Sequence, residues 1–108
     1  VIKRDFTYID DITAGTIAVL DHPPEDPIHR VYNLGAAEGQ DIASIVGLFE
    51  KALDRKAKIE LKPGEPGDMQ ETAADIADTI RDFGWMPRVS TKEGIPLFVD
   101  WYKRYNGL

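Results

Sequence analysis

Two segments rich in proline limit what this chain can fold into, because neither can continue a helix or a sheet. Residues 21–29 contain three prolines, and residues 63–68 (Pro-Gly-Glu-Pro-Gly-Asp) contain two prolines and two glycines. Proline disfavours helix at the residue before it, and the Pro-Gly pairs fix a looped backbone. We therefore expect a surface loop at each segment, with short regular elements on either side.

Outside these loops, apolar residues recur at helical spacing and predict four helices. Local end signals support them: Asp10 and Asp11 stand where the first helix begins, and Gly84 closes the third. The predicted helices cover residues 11–21, 41–53, 75–84 and the stretch that follows Ser90.

The last helix begins with a capping box, in which Ser90 and Glu93 satisfy each other's end of the helix start. Beyond this box, apolar residues line up on one side of the helix. We expect that side to pack on the rest of the domain. It consists of Gly94, Leu97, Phe98, Trp101 and Tyr105.

Strands are few, and no two of them are joined by a hairpin turn. Alternating or short apolar runs predict a strand or extended segment at residues 5–9, a buried strand at 30–35 and a half-exposed strand at 58–62. Three short strands make a poor sheet unless further strands are supplied from elsewhere. With no methionine at its start, the chain is expected to be a piece of a longer one.

Composition excludes several classes of function. Among 108 residues there are 13 basic and 19 acidic side chains, and no basic stripe suits a nucleic-acid backbone. No apolar run approaches the roughly 20 residues of a membrane-spanning helix. Cysteine is absent, which excludes disulfides and zinc-thiolate sites and fits a cytoplasmic protein.

No catalytic or metal-binding constellation is evident in the sequence. His22 and His29 flank the first proline loop without metal-ligand spacing. Ser44 and Ser90 are explained inside or at the start of helices. No glycine-rich turn lies between a strand and a helix, as a phosphate-cradling loop requires. We therefore expect no catalytic residue and no metal ligand in this chain.

Two features could carry binding chemistry. Arg4 stands among acids and aromatic residues, and its planar fork suits a phosphate group; the alternative is a surface ion pair with a nearby acid. The rigid loop 63–68 presents Glu65 and Asp68; the alternative is a simple turn in which Asp68 bonds local backbone.

Five motifs resemble, in order and spacing, the C-terminal third of nucleotide-sugar epimerases and dehydratases of the extended short-chain dehydrogenase/reductase family. The final motif is similar to the UDP-glucuronate 4-epimerase branch in particular. The motifs are residues 4–12 (RDFTYIDDI), 31–35 (VYNLG), 66–68 with 72–75 (PGD and TAAD), 83–87 (FGWMP) and 91–102 (TKEGIPLFVDWY).

The resemblance implies an α/β chain of about four helices and three short strands, the substrate-binding subdomain of an extended Rossmann-fold enzyme. Residues 1–108 would bind the nucleotide sugar, and residues 31–35 would form a strand of the Rossmann sheet. The N-terminal domain that binds NAD, with its catalytic Tyr-x-x-x-Lys pair, is not in this chain. A homodimer through that domain is also implied.

The implied reaction of the parent enzyme interconverts UDP-glucuronate and UDP-galacturonate through a 4-keto intermediate. The alternatives are a related UDP-sugar decarboxylase, a 4,6-dehydratase, or a non-catalytic nucleotide-binding module. In this resemblance Arg4 contacts the diphosphate, Phe6 and Tyr8 line or support the pocket, and the loop with Glu65 and Asp68 closes over the nucleotide. Related enzymes tend to carry Arg or Gln where this chain has Glu65.

Overall fold

A computed structural model of the chain describes residues 1–26 and 29–108, within which four helices accompany a two-stranded sheet. All four predicted helices are present, with bounds within two residues of those expected. Part of the predicted loop 21–29 lies outside the described residues. The elements are β1 (Lys3–Asp5), α1 (Ile9–Asp21), β2 (Gly39–Asp41), α2 (Ile42–Leu53), α3 (Ala77–Phe83) and α4 (Thr91–Asn106).

Three helix ends follow the local signals of the sequence. The Asp41 side chain accepts the backbone N–H of Ala43 at 2.8 Å and so caps α2. Ser90 Oγ accepts the backbone N–H of Glu93 at 3.3 Å, and Gly84 ends α3 with a φ of 63°. These contacts need only neighbouring residues, which explains why the helices were predictable.

The start of α1 does not follow its predicted signal. Asp10 and Asp11 do not cap this helix: its N-cap residue is Tyr8, without a side-chain cap. The Asp11 carboxylate instead accepts the backbone N–H groups of Arg88 and Val89.

The strands differ more from expectation. β1 covers Lys3–Asp5 rather than residues 5–9, and it pairs antiparallel with β2, which the sequence did not indicate. On its other side, Lys3 forms a parallel bridge with Glu71. β1 is therefore held between two segments that lie far away in sequence.

Of the two further strands predicted, the one at residues 58–62 is absent from the described structure. Residues 30–35 have no strand partner within the described part of the chain, and their pairing with a strand of another domain stays a prediction. Val31 is 76% exposed and Leu61 is 92% exposed. Alternating or apolar residues favour a strand only where a partner offers hydrogen bonds and a surface to pack on. No described segment offers either to these residues.

The main apolar core lies between α2 and α4. Ile45 of α2 packs with Ile95 and Val99 of α4, and all three are buried. The predicted packing face of α4 is confirmed only in part: Gly94 is buried and Phe98 meets Phe49 of α2 edge-on, with ring centroids 6.0 Å apart. The other three residues, Leu97, Trp101 and Tyr105, are 49–76% exposed, because the helix is rotated so that its aliphatic residues face α2.

A second buried cluster joins α1 to the chain before α4. The Trp85 ring is buried, and its indole N–H donates to the Asp11 carbonyl oxygen at 2.9 Å. The Asp11 side chain, only 5% exposed, accepts the backbone N–H groups of Arg88 and Val89 at 3.0 and 2.9 Å. Asp11 therefore ties α1 to the segment that leads into α4.

The chain is flat. Its radius of gyration is 17.0 Å and its extents are 52 × 39 × 19 Å, whereas a compact domain of this length would have a radius near about 13 Å. A thin body has little interior, which explains the many exposed apolar side chains. No helix in the described residues is long and apolar enough to cross a bilayer.

We expect Asp11→Ala to lower the free energy of unfolding by about 1–3 kcal/mol, because two backbone N–H groups would lose their acceptor. Urea unfolding followed by tryptophan fluorescence measures this change. Asp10→Ala, at an exposed position of the same helix turn, is the control. Equal effects of the two substitutions would contradict the role of Asp11.

Candidate functional site

The Arg4 side chain reaches from β1 to the segment that follows the Pro-Gly loop. Its Nη2 donates to Asp68 Oδ1 at 2.6 Å, and its Nη1 donates to the carbonyl oxygens of Met69 at 2.6 Å and Lys3 at 2.8 Å. The Arg4 side chain is 26% exposed and that of Asp68 is 44% exposed. The guanidinium is thus fixed in place while one side of it remains open to solvent.

A tight turn brings Asp68 to this position. The backbone N–H of Asp68 donates to the Glu65 carbonyl oxygen at 3.2 Å, and Gly67 between them has a φ of 90°. Proline followed by glycine at the centre of a turn is typical of type II, which needs a positive φ at its third residue. The predicted looped backbone at residues 63–68 is therefore confirmed.

The segment after the turn runs alongside β1. The backbone N–H of Lys3 donates to the Gln70 carbonyl oxygen at 2.9 Å, and that of Thr72 donates to the Lys3 carbonyl oxygen at 3.2 Å. These two bonds have the pattern of a parallel ladder. They set the distance between Arg4 and Asp68.

The five predicted site residues do not all meet. Arg4 and Asp68 form an ion pair, whereas the exposed Glu65 side chain has no hydrogen-bond or charge partner among the described residues. Phe6 and Tyr8 line an apolar cleft of about 310 Å³ between the end of β1 and helices α2 and α4. None of the other three predicted residues lines that cleft.

Tyr8 has a structural role in this cleft. Its carbonyl oxygen accepts the backbone N–H groups of Asp11 and Ile12 at the start of α1. Its ring lies so close to Gly94 of α4 that a Cβ there would come within 3.0 Å of the ring. Tyr8 therefore joins α1 to α4, and it supports the Arg4 region indirectly, through packing.

The arrangement around Arg4 offers hydrogen-bond donors beside acceptor oxygens. A guanidinium has five N–H donors, and in the described structure Nε and one hydrogen of Nη2 have no protein acceptor. Such donors form strong, directed hydrogen bonds to phosphate oxygens. The carboxylate of Asp68 beside them adds acceptor oxygens at the same spot.

Comparison with known proteins gives a consistent result. UDP-glucuronate 4-epimerase 6 of Arabidopsis thaliana is 35% identical over an alignment of 118 positions, which covers 99% of this chain and 26% of that protein. The structure of UDP-glucuronic acid 4-epimerase of Bacillus cereus with UDP-glucuronic acid and NAD matches with a TM-score of 0.80 and 33% identity, over 94% of this chain and 32% of that one.

This chain is homologous to part of the UDP-glucuronate 4-epimerases. The structure of UDP-glucose 4-epimerase of Bifidobacterium longum with NAD⁺ and UDP is also similar, with a TM-score of 0.81 and 28% identity over 96% of this chain and 31% of that one. These similarities confirm the resemblance to nucleotide-sugar epimerases and the implied fold. A scan against protein-family models gives no match.

The chain spans about a third of the length of the relatives it matches, between 26% and 36%. The described residues match the C-terminal portion of these epimerase structures. Among them no group of three or more His, Cys, Asp or Glu side chains could hold a metal ion. No glycine-rich turn between a strand and a helix is present among them either.

One important residue next to this site was missed in the sequence. The Asp5 carboxylate accepts backbone N–H groups from two separate loops, at Ala36, Ala37 and Ala74. The available signal was the alternation of β1, which sends the residue after Arg4 to the opposite side of the strand. An acid on that inner side needs donors, and backbone amides supply them.

A second polar cluster lies at α3. The Tyr32 hydroxyl donates to Asp82 Oδ2 at 2.6 Å, and Arg81 Nε donates to Asp82 Oδ1 at 2.8 Å. The hydrogen bonds from Arg81 and Tyr32 hold the pKa of Asp82 at about 2, below its usual 3.8. The hydrogen bond to Asp82, together with partial burial, raises the pKa of the Tyr32 hydroxyl. The cluster anchors the segment before Gly35 to α3.

We expect Asp82→Asn to reduce the acid sensitivity of the fold. The pKa of Asp82 is about 2 in the folded state, whereas its usual value is 3.8. The ionised Asp82 therefore stabilises the fold at pH values above 3.8, and this stabilisation is lost as the pH falls from 3.8 toward about 2. Thermal unfolding between about pH 2 and pH 6 measures the effect. Asp100→Asn, at an exposed acid of α4, is the control. Parallel curves for wild type and Asp82→Asn would contradict the prediction.

Proposed function

We propose that this chain is the UDP-sugar-binding part of an NAD-dependent nucleotide-sugar epimerase that interconverts UDP-glucuronate and UDP-galacturonate. The homology supports the family, and the geometry around Arg4 supports the role of the chain. In this proposal the chain binds and orients the nucleotide, and the catalytic groups belong to other parts of the enzyme. The 108-residue chain alone is then inactive.

The fixed guanidinium of Arg4 is the observation that carries the proposal. Its position is set by Asp68 and by two carbonyl oxygens, so little side-chain entropy remains to be lost when an anion binds. Its remaining N–H donors face a diphosphate in the proposed complex. Directed donors matter here because the chain has a net charge of −6, and its overall field does not attract anions.

The other predicted residues have supporting roles in the proposal. Asp68 holds Arg4 and offers carboxylate oxygens to hydroxyl groups of the nucleotide. Glu65 is exposed at the turn. Its negative charge disfavours close approach of a phosphate, so in the proposed complex its carboxylate accepts a hydrogen bond from a ribose hydroxyl. Phe6 and Tyr8 support β1 from the apolar cleft.

Residues 31–35 are proposed to form a strand of the NAD-binding Rossmann sheet. Asn33 is anchored on one side, because its carbonyl oxygen accepts the Thr79 hydroxyl at 2.7 Å and its side chain donates to the Asp75 carbonyl oxygen at 3.1 Å. No backbone N–H of residues 31–34 has a backbone acceptor in the described part of the chain. Such a segment is ready to pair with a further strand.

The NAD cofactor would be held by that other domain. NAD or NADH accompanies several of the related structures, including both epimerases compared above. A homodimer through the same domain and a cytoplasmic location complete the proposal.

Alternative reactions differ in the sugar or in the chemistry. The similar UDP-glucose 4-epimerase of Bifidobacterium longum favours a UDP-hexose as the second candidate substrate. A UDP-sugar decarboxylase or a 4,6-dehydratase would use the same diphosphate contact. A non-catalytic nucleotide-binding module would bind UDP and turn over no sugar.

We expect the full-length protein to convert UDP-glucuronate into UDP-galacturonate when NAD is present. Chromatography of the sugar nucleotides, confirmed by proton NMR of the product, measures this conversion. Parallel reactions with UDP-glucose separate the two sugars. Turnover of UDP-glucose alone, or formation of a pentose or a 4-keto-6-deoxy product, would overturn the substrate assignment; binding of UDP without any turnover would favour the module.

We expect Arg4→Ala in the full-length protein to weaken UDP binding by about 10- to 100-fold, the value of one or two charge-assisted hydrogen bonds. The NAD content should remain that of the wild type, because the proposal assigns the cofactor to another domain. Calorimetry with UDP and absorbance of the released NAD measure the two quantities. Arg104→Ala, at an exposed position of α4, is the control. Loss of NAD from Arg4→Ala would instead indicate a structural role for Arg4.

A further inference from the structure

Asp5 stands directly after Arg4 in β1 and faces the other side of the strand. Its Oδ1 accepts the backbone N–H of Ala36 at 2.8 Å, and its Oδ2 accepts those of Ala37 at 3.0 Å and Ala74 at 2.8 Å. Hydrogen bonds to an ionised carboxylate are about twice as strong as neutral ones. One side chain therefore joins β1 to two loops that are distant in sequence.

The backbone around Asp5 is shaped for this carboxylate. Ala37 has a φ of 60°, an uncommon conformation for a residue with a side chain, and it turns consecutive N–H groups toward Asp5. Gly35 is buried, and a Cβ at this position would overlap the Ala74 side chain and lie 3.0 Å from Asp5 Oδ2. Only glycine permits the loops to close this tightly.

The same contacts determine where Arg4 lies. Ala74 follows shortly after Asp68 and Met69, the two residues outside β1 that hold the guanidinium. A further bond from the Asp5 backbone N–H to the Thr72 hydroxyl, at 3.3 Å, fastens the same segment. Asp5 thus fixes the segment 68–74 against β1 on one face of the strand, while Arg4 contacts the same segment on the opposite face.

We propose that Asp5 is a positioning residue for nucleotide binding: its carboxylate holds residues 68–74 against β1 so that Arg4 presents its free N–H donors to the diphosphate. This inference rests on the proposed function of Arg4. Asp5 itself does not touch the ligand, because its oxygens are committed to the backbone on the opposite side of the strand.

The inference predicts that Asp5 acts through Arg4. Asp5→Asn keeps the size of the side chain, but in either orientation its NH₂ group faces at least one backbone N–H that the carboxylate had accepted. We expect UDP binding by the full-length protein to weaken by about 10-fold, typical of the coupling between residues in one network. The double variant Arg4→Ala/Asp5→Asn should bind UDP no more weakly than Arg4→Ala alone.

Asp11→Ala is the matched control, because it also leaves backbone N–H groups without a carboxylate, but beside α4 rather than behind Arg4. It should lower the melting temperature and leave the UDP dissociation constant unchanged. Thr72→Val removes the hydroxyl that accepts the Asp5 backbone N–H and provides a milder test if Asp5→Asn does not fold. Weakened UDP binding by Thr72→Val, absent in the Arg4→Ala background, supports the inference in that case.

Isothermal titration calorimetry with UDP distinguishes the outcomes. Two results would overturn the role of Asp5 and leave the proposed function intact. In the first, the losses of UDP affinity add in the double variant. In the second, Asp11→Ala weakens UDP binding as much as Asp5→Asn does. A wild-type protein that does not bind UDP, or an Arg4→Ala variant that binds it normally, would overturn the proposed function as well.

Discussion

The hydrogen bonds that the Asp5 carboxylate accepts from three backbone amides are the contact on which the arrangement of this chain depends. β1 has only three residues, and a two-stranded sheet of that length has little stability of its own. The charged acceptor gathers the loop after residue 34 and the segment before α3 onto this strand. The position of Arg4, and hence the candidate binding site, follows from that assembly.

A second carboxylate, that of Asp11 in α1, also joins distant segments by accepting backbone N–H groups. Asp11 accepts two backbone N–H groups before α4, and the buried Trp85 packs beside it. Both acids compensate for a small apolar core, because a flat chain of this length cannot surround enough side chains to fix its loops by packing alone. Two of the three acids in the first motif, Asp5 and Asp11, are therefore structural, whereas Asp10 is exposed.

The helices could be predicted from the sequence because their signals are local. Ser90 and Gly84 act on backbone groups within a few residues as predicted, and Asp41 caps α2 in the same local way. The strands could not, because strand pairing depends on residues distant in sequence: Gly39–Asp41 lacks strand-forming residues yet pairs with β1, whereas residues 58–62 alternate well and pair with nothing described. The packing face of α4 was not fully predictable for the same reason, because the residues of α4 that face α2 are determined by contacts with residues distant in sequence.

The candidate site was predictable in its parts but not in its pairing. An arginine suited to phosphate and a rigid Pro-Gly turn were both visible in the sequence, but only the fold decides that Arg4 meets Asp68 rather than Glu65. This pairing has a chemical consequence, because the positive and negative charges nearly cancel and leave directed donors beside acceptor oxygens. A bare anion gains little from such a pair, whereas a ligand with phosphate oxygens close to hydroxyl groups can use both sides of it. A nucleoside diphosphate has that combination, so the ion pair is consistent with the proposal that Arg4 binds a nucleotide rather than simple phosphate.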